Sequence, residues 1–517
     1  MDATHDSGAR AGRWLILGAV CLAALIPPLG FTGGAVATPA IGRELGGSPF
    51  ELNWIVNAYM LAFGSTLMAA GALSDQFGRK KIFAAGTGLF VLASLVLALV
   101  PNLLWLNILR CVQGLAAAMI LAGGTAALAQ EFDGPARPRA FAMLGTTFGI
   151  GLAFGPVLTG LLVEGFGWRA SFLACAAMGV LALVLGVPKM HESRDPGATG
   201  LDWPGSLCFT AALAAFTLGV MQAPLHGWAS PLVLGLLCAS LVLMAMFVWI
   251  EQRVHRPMLD LSLFRYTRFV GVQALPMATC YCYVVLLIML PIRFIGIEGH
   301  SEIDAGWMLM MLSLPMLVVP AIAASLAHRI SAGVLSGVGL LLAAVGLLYM
   351  SRIAPGQSGW TWAVPMLMVG VGTGLPWGLM DGLSVSVVPR ERAGMATGIF
   401  STTRVAGECI GLALMSAVLV GLLQWRVHAV LPQADPSLVN ATAQQLATGN
   451  RGSALAPWPD VTHAALIGAY GEAFRWVMYV LAAITVISAL VVFGFLGTTK
   501  TAPEKDADID EDACVTS

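Results

Sequence analysis

Apolar residues along this chain come in long runs separated by short polar breaks, and the length of the runs carries the first inference. A helix needs about 20 mainly apolar residues to cross about 30 Å of hydrocarbon. A window of that length finds fourteen runs, at 14–35, 52–71, 82–100, 104–130, 139–162, 170–188, 203–224, 230–250, 269–294, 304–326, 332–350, 361–387, 393–422 and 474–497. The runs at 104–130 and 393–422 are long enough to tilt or to include a turn outside the bilayer. The pattern predicts an all-α protein threaded fourteen times through a membrane. Two stretches are too polar to stay in lipid. Residues 427–463 are expected to form a long outer loop, and the acidic stretch after Thr499 a disordered tail.

Composition points the same way. Of 517 residues, 58% are hydrophobic and 11% charged, with a mean hydropathy of +0.82. Soluble domains carry roughly 25% charged residues, so the surplus apolar surface needs lipid as its solvent. The net charge of −1 is informative only through the positions of the charges. With the N-terminus inside, eighteen of the 27 Lys and Arg residues fall in inner segments. Seven (Arg43, Arg169, Arg293, Arg352, Arg426, Arg451 and Arg475) fall in outer ones, and Arg110 and Arg404 lie within runs. That bias predicts cytoplasmic termini. Arg10 and Arg13, the apolar run behind them and Ala35-Val36-Ala37 also have the form of a cleavable secretory signal, but the runs that follow favour a retained anchor. Eight of the nine cysteines lie in apolar stretches and read as packing residues. Neither a CxxC pair nor a Cys/His cluster of metal spacing is present, and a phosphate-binding GxxxxGKS/T loop and a long basic run are missing too. These absences argue against a metal site, direct ATP drive and nucleic-acid binding, and no nucleophile constellation suggests an enzyme.

Three local patterns carry chemistry. GALSDQFGRKK at 71–81 joins the second and third runs. In it, Gly71 would let two helices approach closely, Gly78 permits a tight turn, and Asp75 beside Arg79 and Lys80 can form a charged latch. LNILRCVQG at 106–114 places Arg110 about 9 Å into its run at ~1.5 Å per residue. A cation at that depth should face a cavity or a partner unless it snorkels to the interface. GTTFGIGLAFGPVLTG at 145–160 spaces Gly151, Gly155 and Gly160 for close helix packing and adds the helix-bending Pro156.

Together with WIVNAYMLAFG at 54–64 and ERAGMATGIFSTTRVAGECIG at 391–411, these patterns resemble the major facilitator superfamily, and in particular its fourteen-span drug:proton antiporters. The resemblance covers the chain from about residue 14 to 497. It implies two six-helix bundles, at 14–188 and 269–497, with an inner loop and inserted helix pair at 189–250 and a second inner loop at 251–268. It also implies that 71–81 is a gating loop, that Arg110 takes part in proton coupling, and that the span-5 glycines are an antiporter motif. That motif's usual final Gly-Gly reads Thr159-Gly160 here. SLAHRISAG at 325–333 is a degenerate second copy of the gating loop, with His328 where an acid is expected.

One departure redirects the search for a proton carrier. Relatives in this family commonly carry an aspartate in the first span, whereas LGFTGGAVATP at 29–39 has Gly30 there. Two acids within runs can replace it. Glu408 sits near the middle of its run, where a carboxyl group marks a proton relay, and Asp381 follows the helix-breaking Pro376 toward an inner vestibule. Arg404, four residues before Glu408, is close enough along the helix to pair with it. Asn57, Tyr59, Gln113 and Trp377 are candidates to line a substrate cavity, with Met308, Met310, Met311 and Met316 as adaptable apolar contacts. The resulting expectation is a multi-pass protein of the bacterial inner membrane that exports hydrophobic or cationic small molecules against protons, without a cofactor. Export of one endogenous metabolite and a non-transporting sensor of the same fold are the alternatives. The sequence leaves the oligomeric state open, a monomer included.

Overall fold

The computed structural model of the chain describes residues 2–132, 136–194, 202–254, 259, 261–327, 329–357, 360–388 and 393–496. The tail beyond residue 496, His328 and part of the inner loop at 189–202 lie outside the described residues. Fourteen of the described helices are long and apolar enough to cross a membrane. In order these spans are Arg13–Leu45, Pro49–Phe77, Arg79–Leu97, Leu103–Glu131, Met143–Phe166, Arg169–Gly186, Trp203–His226, Pro231–Glu251, Thr267–Ile297, Glu302–Leu326, Ala332–Met350, Trp360–Ser384, Gly398–Val430 and Thr462–Leu496. Helices are the expected solution, because lipid offers no partner to a free backbone N–H or C=O.

Three spans are broken, each next to proline, and span 10 is helices Glu302–Ser313 and Pro315–Leu326 with the break at Leu314 before Pro315. Span 1 consists of helices Asp2–Ala24 and Ile26–Leu45, and the break at Leu25 precedes Pro27 and Pro28, which have no N–H to continue the ladder. Span 9 carries π-helical turns at Cys280–Val284 and Ile292–Ile297, just after Pro276 and Pro291. Such turns insert an extra residue and tend to mark functional sites.

The polar stretch 427–463 differs from the expected loop. Span 13 continues to Val430, helices Pro436–Ala447 and Arg451–Leu455 follow, and the last helix begins at Asp460. Asp435 caps the first short helix by accepting from Ser437 N at 2.7 Å and from Ser437 Oγ at 2.6 Å, which holds its carboxyl below the usual carboxylate range. Val439, Ala443 and Leu446 recur at helical spacing and are buried, so this stretch packs as an amphipathic cap.

Span 2 packs on span 4, span 3 on spans 4 and 6, and span 5 on span 1. In the second part of the chain, span 11 packs on spans 12 and 14, and span 10 on span 12. Of the two extra helices, span 7 lies against spans 2 and 13, while span 8 packs mainly on span 7. Gly64 of span 2 packs on the backbone of Val405 and Ala406 in span 13, and a further group of contacts between the two sets lies at one end. There Arg43 pairs with Glu302, and Glu164 Oε2 accepts from Ile303 N at 3.3 Å. Gly160 and Gly306 seat span 5 against span 10, where added Cβ atoms would stand 2.3 Å from Glu302 O and 2.8 Å from Val157 Cα. At the other end, which carries the 71–81 loop, Cβ positions at Gly71, Gly145 and Gly382 meet nothing within 4 Å. The contacts between the halves shut the Arg43 end.

Candidate functional site

Arg110 lies about two turns into span 4 and is fully buried. Its Nε donates to Ile55 O at 2.7 Å, Nη1 to Gln113 Oε1 at 2.8 Å and Nη2 to Gly30 O at 2.9 Å. The guanidinium also lies 4.4 Å from the ring centroid of Tyr59 and 5.7 Å from that of Phe172. Gln113 passes the network on to Ser94 Oγ at 2.8 Å, and Tyr59 donates to Pro27 O at 3.0 Å. Burying a cation is tolerable only when its donors are met. Here oxygens and aromatic faces meet it, and no carboxylate does so among the described residues. Gly30 thus supplies a carbonyl at the place where an aspartate is common, and a side chain there would press on Tyr59 at 3.2 Å. Tyr59 and Gln113, expected in a cavity wall, serve instead as the arginine's surroundings.

The acidic site is in the second half, toward the end that carries the 71–81 loop. Asp381 Oδ1 lies 3.5 Å from Arg404 Nη1, with side-chain exposures of 62% and 15%. Glu408, one turn beyond Arg404, is 9% exposed and accepts no hydrogen bond among the described residues. The expected Arg404–Glu408 pair is therefore replaced by an Arg404–Asp381 pair between spans 13 and 12. Glu408 is wedged where span 13 crosses the π-helical part of span 9. A Cβ at Gly407 would meet Met277 Sδ at 2.4 Å and one at Gly411 would meet Cys280 Sγ at 2.8 Å. Trp377 stands nearby in span 12, edge-on to Tyr283 at 6.3 Å.

Between the halves, a narrow cleft is lined from spans 1 and 2 by Thr38, Asn53 and Asn57 and from spans 9 and 13 by Met289, Leu412 and Ser416. Asn57 donates to Asn53 O at 2.9 Å, and its Oδ1 is buried without a partner among the described residues. Of the four expected lining residues, Asn57 is the one in this wall. Asn53 and Ser416 were not anticipated, and a polar residue one turn from Asn57 was the available signal.

The gating loop folds back on its own half. Asp75 pairs with Arg79 at 3.3 Å, Arg79 N donates to Ser193 O at 2.9 Å, and Lys80 Nζ to Met190 O at 2.9 Å. Gly78 has φ +117°, and a Cβ there would stand 2.3 Å from Glu192 Oε1, so its glycine is required. Gly71, expected at a close helix approach, faces open space. In span 5 the expected packing is present: Cβ atoms at Gly151 and Gly155 would stand 2.5 Å from Pro28 Cγ and 2.3 Å from Thr32 Oγ1. Arg293, counted among the outer cations, is in fact fully buried within span 9.

A bundle of fourteen membrane-length helices, shut at the Arg43 end and holding buried ionisable groups between its spans, defines a polytopic carrier. The family model of the Major Facilitator Superfamily matches residues 20–412, and the chain belongs to that superfamily. It is a multi-pass membrane transporter of small molecules. Among its relatives, the multidrug resistance protein Stp of Mycobacterium tuberculosis (strain CDC 1551 / Oshkosh) is 32% identical over 406 residues, covering 78% of this chain and 75% of that one. The tetracenomycin C resistance and export protein of Streptomyces glaucescens is 26% identical over 518 residues, covering 98% and 95%. A crystal structure of the peptide transporter POT in complex with sulfate superposes with a TM-score of 0.61 at 12% identity, covering 93% of this chain and 95% of that one, a likeness of fold.

Proposed function

We propose that the protein exports apolar and cationic small molecules in exchange for protons across a bacterial plasma membrane, as a carrier and not an enzyme, with no cofactor beyond the proton gradient. The observation that carries the coupling is Glu408: a buried carboxyl without a hydrogen-bond donor among the described residues, one turn from an arginine already engaged by Asp381. Such a group is free to exchange a proton for a cationic or polar substrate group as the halves rock. The bias of cations toward the loop end supports assigning the Arg43 end to the outside. The glycine stripe of span 5, packed on spans 1 and 10, supports a pivot for that rocking. Drug export is supported by the names of the multidrug and antibiotic resistance relatives. The match to the tetracenomycin C exporter over 98% of the chain favours, as a second reading, export of a single endogenous product.

In proteoliposomes with an imposed pH gradient and ethidium as probe, Glu408→Gln is expected to cut uphill accumulation at least ~10-fold while leaving downhill ethidium exchange in place. Uphill accumulation equal to that of the unaltered protein removes Glu408 from coupling.

A further inference from the structure

A second buried ion pair lies at the shut end, away from Glu408. Arg293 and Glu298 bracket the last π-helical turn of span 9, with Nε 2.7 Å from Oε1, and their side chains are 0% and 2% exposed. Arg293 also donates from Nη2 to Ile353 O at 3.1 Å and sits 4.5 Å from the ring centroids of both Trp362 and Phe474. Around this pair four buried polar atoms have no hydrogen-bond partner among the described residues: Arg293 Nη1, Glu298 Oε2, Trp362 Nε1 and Tyr470 Oη. Buried groups of this kind are normally matched by internal water. Donors and an acceptor are both represented, as a bound water requires. The mouth of the site is His300, 32% exposed, whose Nε2 is 3.6 Å from Glu298 Oε2.

The next residues connect this site to the clasp between the halves. Gly299, at φ +78°, turns the chain so that His300 N donates to Phe294 O at 2.9 Å. Ser301 then caps span 10 by accepting from Asp304 N at 3.0 Å, and Glu302 pairs with Arg43 while its carbonyl lies under Gly160. Only Ser301 separates the imidazole from the residue that holds the shut end.

We propose that Arg293, Glu298 and His300 form a hydrated proton-binding site that, when His300 is protonated, fixes the 298–302 connection and holds the Arg43 end shut. The imidazole is the side chain that changes charge between about pH 5 and 8. Taking a proton from the adjoining water turns it into a cation facing the free oxygen of Glu298, and losing the proton removes that attraction. The other charged and titratable groups around the site are Tyr470 of span 14, Arg475 of the same span, which donates to Ser351 O at 3.2 Å, Arg451, which donates to Ile297 O at 3.2 Å from the outer cap, Glu164 of span 5, which accepts from Ile303 N, Asp304 in the first turn of span 10, and the Arg43–Glu302 pair. In an exporter that exchanges substrate for protons, the reading on which this inference rests, acid outside would thus favour closing the outer end.

The test measures conformation, not transport. Spin labels carried by unnatural amino acids at the exposed positions 101 and 357 report the width of the shut end in nanodiscs without substrate. Between about pH 8 and about pH 5.5 the closed population should gain at least ~5-fold over the open one, and His300→Gln should reduce that gain to under ~2-fold. His300→Arg should keep the end closed at both pH values, and Glu408→Gln should respond to acid as the unaltered protein does. A distance distribution indifferent to pH, or a His300→Gln variant that responds in full, overturns the proposal. Loss of the response in Glu408→Gln alone would assign the pH sensitivity to Glu408 and overturn it as well. In a high-resolution structure, water density beside Arg293 Nη1 is expected, and a dry site overturns the hydrated site proposed here.

Discussion

Arg110 and Arg404 are both arginines within spans, one in each half, yet their surroundings are opposite. Arg110 is fully buried, and each of its nitrogens has an oxygen partner from the backbone or Gln113. Arg404 is partly exposed, makes a long ion pair to a mostly exposed aspartate, lies 5.9 Å from the Phe400 ring centroid, and has a second carboxyl one turn away. The first arrangement has no alternative partner and fixes three spans together. The second offers two carboxyls to one cation, which is what a site that changes protonation or ligand during a cycle requires. The comparison suggests a division of labour in which the first half holds a permanent charge and the second half holds the exchangeable ones.

The largest effect should come from breaking the fixed site. In Arg110→Lys a single ammonium cannot reach Ile55 O, Gly30 O and Gln113 Oε1 together, because it lacks the planar fork. Each lost charge-assisted hydrogen bond is worth about 1.5–3 kcal/mol. Both the thermal midpoint and efflux should therefore fall, efflux by at least ~10-fold. A lysine variant with normal stability and efflux would erase the distinction between the two arginines.

The glycine stripe gives a smaller, internally controlled contrast. Gly160→Ala places a methyl 2.3 Å from the Glu302 carbonyl oxygen, whereas Gly145→Ala projects into open space. Overpacking costs typically about 1–3 kcal/mol, and alanine gains about 1 kcal/mol over glycine in a helix. Gly160→Ala should lower the thermal midpoint and widen the shut end, while Gly145→Ala should match or exceed the unaltered protein. Equal behaviour of the two would mean that the halves do not bear on one another at Gly160.

The hydropathy runs made the span number and the all-helical class readable, because each run is long enough to satisfy its own backbone. Arg110 was readable as a buried cation from its depth alone. The glycines of span 5 were readable as packing residues, but which neighbour each one meets was not. Arg404's partner was not readable for a physical reason: spacing along one helix identifies Glu408 as reachable, while the choice of Asp381 depends on how span 12 lies against span 13. Arg293 looked external because it closes an apolar run, and only the outer cap and the aromatic rings of spans 12 and 14 bury it. Gly71 and Gly78 look alike in sequence, but Gly78 alone has a positive φ and a neighbour at its Cβ position. The cap at 435–459 was hidden by its polar composition, although Val439, Ala443 and Leu446 already carried the helical period.

The smallest and most discriminating change is Asp381→Asn. Its carboxyl is 62% exposed and its contact with Arg404 is 3.5 Å long, so as an ion pair it should be worth about 0–1 kcal/mol, and stability should barely move. Its importance lies in what it keeps Arg404 from doing. Without the aspartate charge, the guanidinium is drawn to Glu408, one turn along the same helix, and the exchangeable carboxyl acquires a permanent partner. Efflux should then slow by about 2- to 5-fold, consistent with a coupling of about 0.5–1 kcal/mol. Adding Arg404→Gln to Asp381→Asn removes the competing cation and should restore part of the lost rate. If the double variant is instead slower than either single one, Arg404 is needed in its own right, and the second half would hold a fixed charge much as the first half does.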